Sequence, residues 1–350
     1  MHEAGLSSDS ANLNFLRSTA VLAVLAAHLT TMRVSSPHIW NLGHLGVLLF
    51  FVHTSLVLML SLQRQDQKGS ENRFIRFMLR RAFRIYPLSI FSVLFYFFLK
   101  VPSRFVLGGL IPTHVSIAGL FSNLALTQNL TYSDSVPGVL WSLPLEIQMY
   151  LMLPLLYVIA VRRRPATMAL IWIGAVILGT IQMNIGRLDR LNVLEYAPCF
   201  IPGVLAFCLG HRPRFKFWPL ALIVAITAFM FAPKGAAIPK WLVCLTVGLM
   251  IPYFQEIRTR ILTVPAEYIA KYSFGIYLFH SAAIWFVFTQ IPTTSLFLQI
   301  TLSLFLTGAV SAAAFHLIEQ PMIRVGTHVA QSLGSMKASQ LKSMKTTSGV

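Results

Sequence analysis

The stretch ANLNFLRSTAVLAVLAAHLTT, Ala11 to Thr31, decides how the rest of the chain is read. It is apolar over the roughly 20 residues that a helix needs to cross a bilayer. Yet it holds two ionisable side chains, Arg17 and His28. An α-helix turns about 100° and rises about 1.5 Å per residue, so the two share one face about 16 Å apart along the axis. Ionisable groups inside a span are costly and as a rule face a functional cavity. The pair predicts a cavity with a fixed positive charge at one end and a titratable base further in. A plainer account would be a snorkelling arginine and a buried histidine bonded to a neighbouring helix.

Composition extends this reading to the whole chain. Of 350 residues, 56% are hydrophobic and 11% charged, against about a quarter charged in soluble domains. The expected fold is an all-α polytopic membrane protein, a bundle of about ten transmembrane helices. The spans fall near residues 12–32, 42–62, 83–99, 139–161, 167–185, 193–210, 216–232, 239–255, 268–290 and 295–318. Residues 105–135 are less apolar and are expected to form a re-entrant or interfacial helix with a loop. The chain then divides into a membrane domain, residues 1–325, and a basic tail, residues 326–350, expected to be disordered and cytoplasmic.

The net charge of +17 excludes less than it would in a soluble protein. Most Lys and Arg residues lie in short loops between spans, and no polar domain is available to hold nucleic acid. With the N-terminus in the cytoplasm, 21 of the 28 basic residues lie inside, Lys68, Arg162 to Arg164, Arg212 and Arg214 among them. Arg33, Lys100, Arg104, Arg187, Arg190, Lys234 and Lys240 lie outside. That bias predicts an N-in, C-in topology with an even number of spans. The first span has no basic region before it and is expected to remain as an uncleaved anchor. Cys199, Cys208 and Cys244 lie in apolar segments without metal-ligand spacing, and no metal or permanently bound cofactor is expected.

Further motifs carry possible chemistry. In RFMLRRAFRIYP, Arg80, Arg81 and Arg84 share a helix face. They are either a positive-inside flank or an anion site, since Arg binds phosphate oxygens in a bidentate manner. In WSLPLEIQMYLMLPLL, Trp141, Ser142, Glu146 and Tyr150 open a span, with Tyr150 one turn after Glu146. Few structural roles need an acid inside a span. Glu146 is expected level with His28, where it could hold the imidazole as a carboxylate does in a hydrolytic triad. YSFGIYLFH places Tyr277 and His280 on a later span. GVLLFFVHTS packs Gly46 against a neighbour and carries His53 as a structural polar contact. In HLIEQPMIR, Glu319 and Pro321 read as a helix stop with a local ion pair to Arg324.

Taken in order, LNFLRSTAVLAVLAAH, GVLLFFVHTS, RRAFRIYP, WSLPLEIQMYLMLP, YSFGIYLFH and IEQP resemble the acyltransferase-3 family of integral-membrane acyltransferases. The resemblance runs from residue 13 to residue 321. It implies transfer of an acyl group, commonly acetyl, from acyl-CoA to a hydroxyl, commonly of a carbohydrate such as an exopolysaccharide or O-antigen. It implies a bacterial inner membrane, with lipids and a polysaccharide-assembly machinery as surroundings. The family's first-helix arginine and histidine fall on Arg17 and His28, its arginine motif on Arg80, Arg81 and Arg84. Its Trp-Ser-Leu-x-x-Glu motif falls on Trp141, Ser142 and Glu146. Asn14 stands where the family has Asp, and Thr54-Ser55 where it has Ser-Gly, a change that bears on close packing beside His53.

On this basis CoA phosphates are expected against Arg80, Arg81 and Arg84, with Arg17 at the entrance. His28 is the expected general base on the acceptor hydroxyl. Tyr150 and His280 line the acceptor side, and Ser142, Tyr277 and Trp141 are the candidates for oxyanion donors. Buried Arg, His and Glu would suit a proton-coupled transporter or flippase as well, although no internal repeat of the kind common in transporters is present. A non-catalytic scaffold would leave the Arg17, His28 and Glu146 set unexplained.

Overall fold

The computed structural model describes residues 10–34, 36–67, 72–107, 109–185, 190–210, 216–292 and 295–332. Lys68, Arg187, Arg212, Arg214 and residues 333–350 lie outside the described residues. The protein is an all-α membrane protein. Twelve helices are described: α1 (Ala11–Thr31), α2 (Pro37–Gln67), α3 (Arg73–Phe98), α4 (Ile117–Leu124), α5 (Gln128–Thr131) and α6 (Leu143–Arg162) form the first half. Then follow α7 (Pro165–Asn184), α8 (Val193–Leu209), α9 (Trp218–Met230), α10 (Ala237–Met250), α11 (Arg260–Gln290) and α12 (Leu296–Ala314). Among the described residues, seven helical segments are long and apolar enough to cross a membrane, and three apolar helices, α8, α9 and α10, are shorter.

Helix α2 is the axis of the bundle. It is buried over most of its length and packs against α1, α8, α6 and α3. Helix α1 lies between α2 and α11, and α11 carries α12 on its other side. Two glycines let backbones meet. A Cβ on Gly46 would strike the Ala20 carbonyl oxygen and Val24 of α1. A Cβ on Gly203 of α8 would occupy the place of the Ser55 hydroxyl and the Val52 carbonyl of α2. So the substitution at Thr54-Ser55 leaves close packing in place, because Gly203 on the facing helix makes room. Ser55 turns its hydroxyl onto its own helix, at Val52 O, 3.0 Å away. Gly46→Val is accordingly expected to destabilise the protein by about 1–3 kcal/mol, the usual range for overpacking. Thermal unfolding in detergent, with its midpoint lowered by several degrees, checks this.

Residues 105–135, expected as a re-entrant or interfacial helix with a loop, do contain a short helix but open with a hairpin that was not expected. They form an antiparallel hairpin, β1 (Arg104–Val106) with β2 (Gly109–Ile111), then α4 and α5. Buried Asn123 holds this segment together: its Nδ2 donates to Gly119 O and Asp134 O, both at 2.9 Å, and its Oδ1 accepts from Val136 N–H at 2.9 Å. A short polar side chain thus takes up backbone groups that have no helix or sheet partner. Tyr96 of α3 performs a similar service on α11. Its hydroxyl donates to Leu278 O at 3.1 Å, accepts from Ala282 N–H at 2.9 Å and meets Ser281 Oγ at 2.8 Å.

The end of the chain corrects two expectations. Pro321 does not stop the last helix, which runs on to Ser332. A π-helical turn, Phe315–Glu319, ends two residues before the proline, and its wider ladder absorbs the missing N–H and the ring. Glu319 is not paired with Arg324 but turns inward, 1% exposed, and lies 3.9 Å from Arg84 of α3. Lys240, counted above with an outer loop, is a buried residue of α10 that forms an ion pair with Glu195 of α8. Its charge is neutralised there, and its ammonium sits 4.5 Å from the Tyr196 ring.

Candidate active site

Helices α1 and α11 run side by side in the same direction and set both ends of the site. At one end the Arg17 Nε–H donates to Ser273 Oγ at 2.7 Å. At the other His28 Nδ1 lies 2.7 Å from His280 Nε2. Ser273, Tyr277 and His280 stand four and three residues apart, on one face of α11.

The first end opens into a cavity of about 350 Å³ lined by Arg17, Arg64, Arg81, Arg84, Glu146 and Tyr150, with Ser142 and Tyr277 at its inner limit. Positive charge dominates. Tyr150 donates to Glu146 Oε2 at 2.7 Å, and Glu319 lies behind Arg84. The buried Nε atoms of Arg76, Arg80 and Arg81 have no hydrogen-bond partner among the described residues. Arg80 does not line the cavity, because it is one residue and about 100° around the helix from Arg81.

The second end opens into a cavity of about 410 Å³ that holds His28, Phe105, Trp40, His44, Trp141 and Tyr196. His28 packs its face on Phe105, with ring centroids 4.1 Å apart and planes within 4°. Its edge meets His280 in nearly the same plane, at 12°. The tautomers follow from the partners. His280 Nδ1 lies 3.0 Å from Ile276 O, which can only accept, so Nδ1 carries the proton. In neutral His280 the other nitrogen then accepts, so His28 Nδ1–H donates to it. His28 Nε2 is left with its lone pair, on a half-buried ring that lines the cavity. On the far wall His44 stacks between Trp40 and Trp141, at 4.7 and 5.6 Å between centroids.

The two cavities back onto each other. Val47 lines both. Beside it Tyr277 OH, on the side of the arginines, donates to the carbonyl of Val139, on the side of His28, at 2.6 Å. Ser142 Oγ–H donates to the Tyr277 oxygen at 2.8 Å. Val47 and the hydrogen-bonded Ser142–Tyr277–Val139 chain thus stand between the two cavities.

The expected residues thus fall into two groups. Arg17, Arg81, Arg84, Glu146, Tyr150, Ser142 and Tyr277 meet in the first cavity, and His28, His280 and Trp141 at the second. Three geometric expectations are corrected: Arg80 lies outside the arginine cavity, Tyr150 lies among the arginines rather than on the acceptor side, and the partner of His28 is His280, not Glu146, which is bonded to Tyr150. Glu146 follows the short 3-10 helix Gly138–Ser142, and that turn places it on the arginine side of the wall. Sequence reasoning missed Ser273, Arg64, Phe105 and the Trp40 and His44 partners of Trp141 as site residues. Ser273 was accessible from helical spacing to Tyr277 and His280. Phe105 was not, because its place depends on a hairpin with no periodic signal.

Residues 10–316 match the family described as acyltransferase domain. A protein of Acidianus two-tailed virus, named as a candidate acetyltransferase, is 25% identical over 76% of this chain and 80% of its own. An uncharacterized protein of Aquifex aeolicus is 26% identical over 53% of this chain and 87% of its own. No solved structure matches.

Proposed function

We propose, given that the chain belongs to the acyltransferase-3 family and is a membrane acyltransferase, that it moves an acyl group, acetyl in the simplest case, from acyl-CoA to a carbohydrate hydroxyl. The observation that carries this is the pair of cavities sharing one wall, cationic on one side and imidazole- and aromatic-lined on the other. The first suits the phosphates of CoA, met by Arg81, Arg84 and Arg17 through charge-assisted hydrogen bonds. The second suits a sugar. Its C–H faces stack on aromatic rings such as Trp141 and Trp40, whose faces are negative, while its hydroxyls reach His28.

The pantetheine arm passes from the cationic cavity to the wall at Ser142 and Tyr277. His28 Nε2 takes the proton from the acceptor hydroxyl, and the oxygen attacks the thioester carbonyl. The C–S bond breaks, the ester forms, and the CoA thiolate recovers the proton from His28. His280 holds the base in its working tautomer. Ser142 and Tyr277 are placed to donate to the developing oxyanion if their mutual bonds open. The positive-inside bias supports an N-in, C-in arrangement with the arginine cavity on the cytoplasmic side, where acyl-CoA is made, and the acceptor cavity on the far side of a bacterial inner membrane. No cofactor need stay bound.

Incubating the purified protein with acetyl-CoA and fragments of envelope glycans tests the assignment. Release of free CoA together with a matching mass gain on one glycan is expected. No acetyl-CoA binding and no release with any acceptor would overturn it, and uptake of the glycan into vesicles without acyl-CoA would point to a transporter instead.

A further inference from the structure

Beside the histidine cavity lies a third space of about 440 Å³, and the two share Arg104, Gly138 and Trp141 as lining. Its remaining wall is of another kind. Gln128, Asn129, Asp134 and Asn192 supply it, with hydroxyls from Ser133 and Ser135. Thr113 and Tyr132 complete it, and among the described residues Arg104 is the one cation that lines it. The amides are held in place. Gln148 Nε2 donates to Asn129 Oδ1 at 3.1 Å, and Asn129 Nδ2 donates to Asn192 Oδ1 at 2.9 Å. The Asn192 amide is thereby oriented by its oxygen.

Gln128 gives an independent sign of a missing ligand. It is 2% exposed, and its Nε2 reaches Leu140 O and Ser135 Oγ at 3.3 and 3.4 Å. Its Oε1 is buried with no hydrogen-bond partner among the described residues. A buried acceptor left unmade is unfavourable, and because Gln128 lines this space a small turn of its amide would bring that oxygen to a ligand hydroxyl. Amides, hydroxyls and one carboxylate beside the Trp141 and Tyr132 rings are the complement of a sugar, which offers hydroxyls around its edge and C–H groups on its face.

We propose that this space is a second sugar subsite, so that the acceptor is an oligosaccharide of at least two units. One unit lies against His28, its neighbour lies among Gln128, Asn129, Asp134 and Asn192, and Trp141 and Arg104 span the junction. This rests on the histidine cavity being the acceptor site. It goes further by fixing the acceptor as a chain rather than a single sugar. It also sets the class of reaction upstream, since a glycosyl transfer must join the units before acylation.

The test uses the full chain, acetyl-CoA and length-sorted fragments of bacterial envelope glycans, from monosaccharide to tetrasaccharide. The expected result is a kcat/KM at least tenfold higher for the disaccharide than for the monosaccharide. Asn192→Ala and Asn129→Ala should collapse that ratio, chiefly through KM for the longer acceptor. Equal kcat/KM at every length overturns the subsite while leaving the glycan acyltransferase intact. A length preference unchanged in both variants overturns it as well, because the extra unit would then be bound elsewhere. Acyl transfer to some other acceptor with no sugar of any length modified overturns both the subsite and the sugar reading.

Discussion

His28→Ala is expected to lower acyl transfer about a hundred- to ten-thousand-fold, the usual worth of a general base, with acetyl-CoA binding and thermal stability close to wild type. The side chain touches the acceptor cavity and does not line the arginine cavity, so donor binding should be spared. Its ring is half-buried, with Phe105 on one face and His280 at its edge. The informative partner is His280, which is buried behind His28 and Phe105 and does not itself line the cavity. It is a positioning residue. His280→Ala should lower kcat by a smaller factor with little change in KM for acetyl-CoA. His280→Gln, whose side-chain oxygen can still accept from His28 Nδ1–H, should recover part of the loss. A merely structural role for His280 predicts no such rescue. Stopped assays of CoA release with the three variants measure these effects, and a normal rate for His28→Ala would exclude it as the base.

Much of this site was legible in the sequence because helical periodicity is rigid. Arg17 and His28 share a face by arithmetic alone, and the helix keeps them there. The same holds for Arg81 and Arg84, and for Tyr150 after Glu146. What failed were inferences about where a helix begins or which neighbour a side chain meets. Glu146 was expected to reach His28 because both lie on spans at similar depth. The 3-10 turn before α6 places it on the arginine side of the wall instead. Pro321 was expected to end a helix, and the π-helical turn before it allowed the helix to continue. The hairpin at Arg104–Ile111 had no alternating pattern long enough to read, so Phe105 came into contact with His28 without warning. Each miss concerns a non-local contact or an irregular turn, where the period of 3.6 gives no information.

The same geometry divides the arginine motif, and donor binding should divide with it. Arg81→Ala is expected to raise the Kd for CoA about 10- to 100-fold, as loss of a hydrogen bond to a charged group would. Arg80→Ala should change it by less than about threefold, in keeping with a partly exposed charge outside the cavity. Both residues belong to one basic run and both have a buried Nε without a hydrogen-bond partner among the described residues, so net charge alone predicts equal effects. Only the position on the helix separates them. Arg84→Ala is less clean, because it also strands Glu319, whose two buried carboxylate oxygens have no hydrogen bond among the described residues. Arg84→Ala combined with Glu319→Gln removes the charge and its counterpart together. It should be better folded than Arg84→Ala alone and still bind CoA weakly. Titration calorimetry with CoA and with pantetheine completes the argument. If the arginines hold the nucleotide phosphates, Arg81→Ala should weaken CoA and leave pantetheine unaffected, and the difference should shrink as salt screens the charges. Equal losses for the two ligands would move the phosphates away from Arg81 and require another donor orientation.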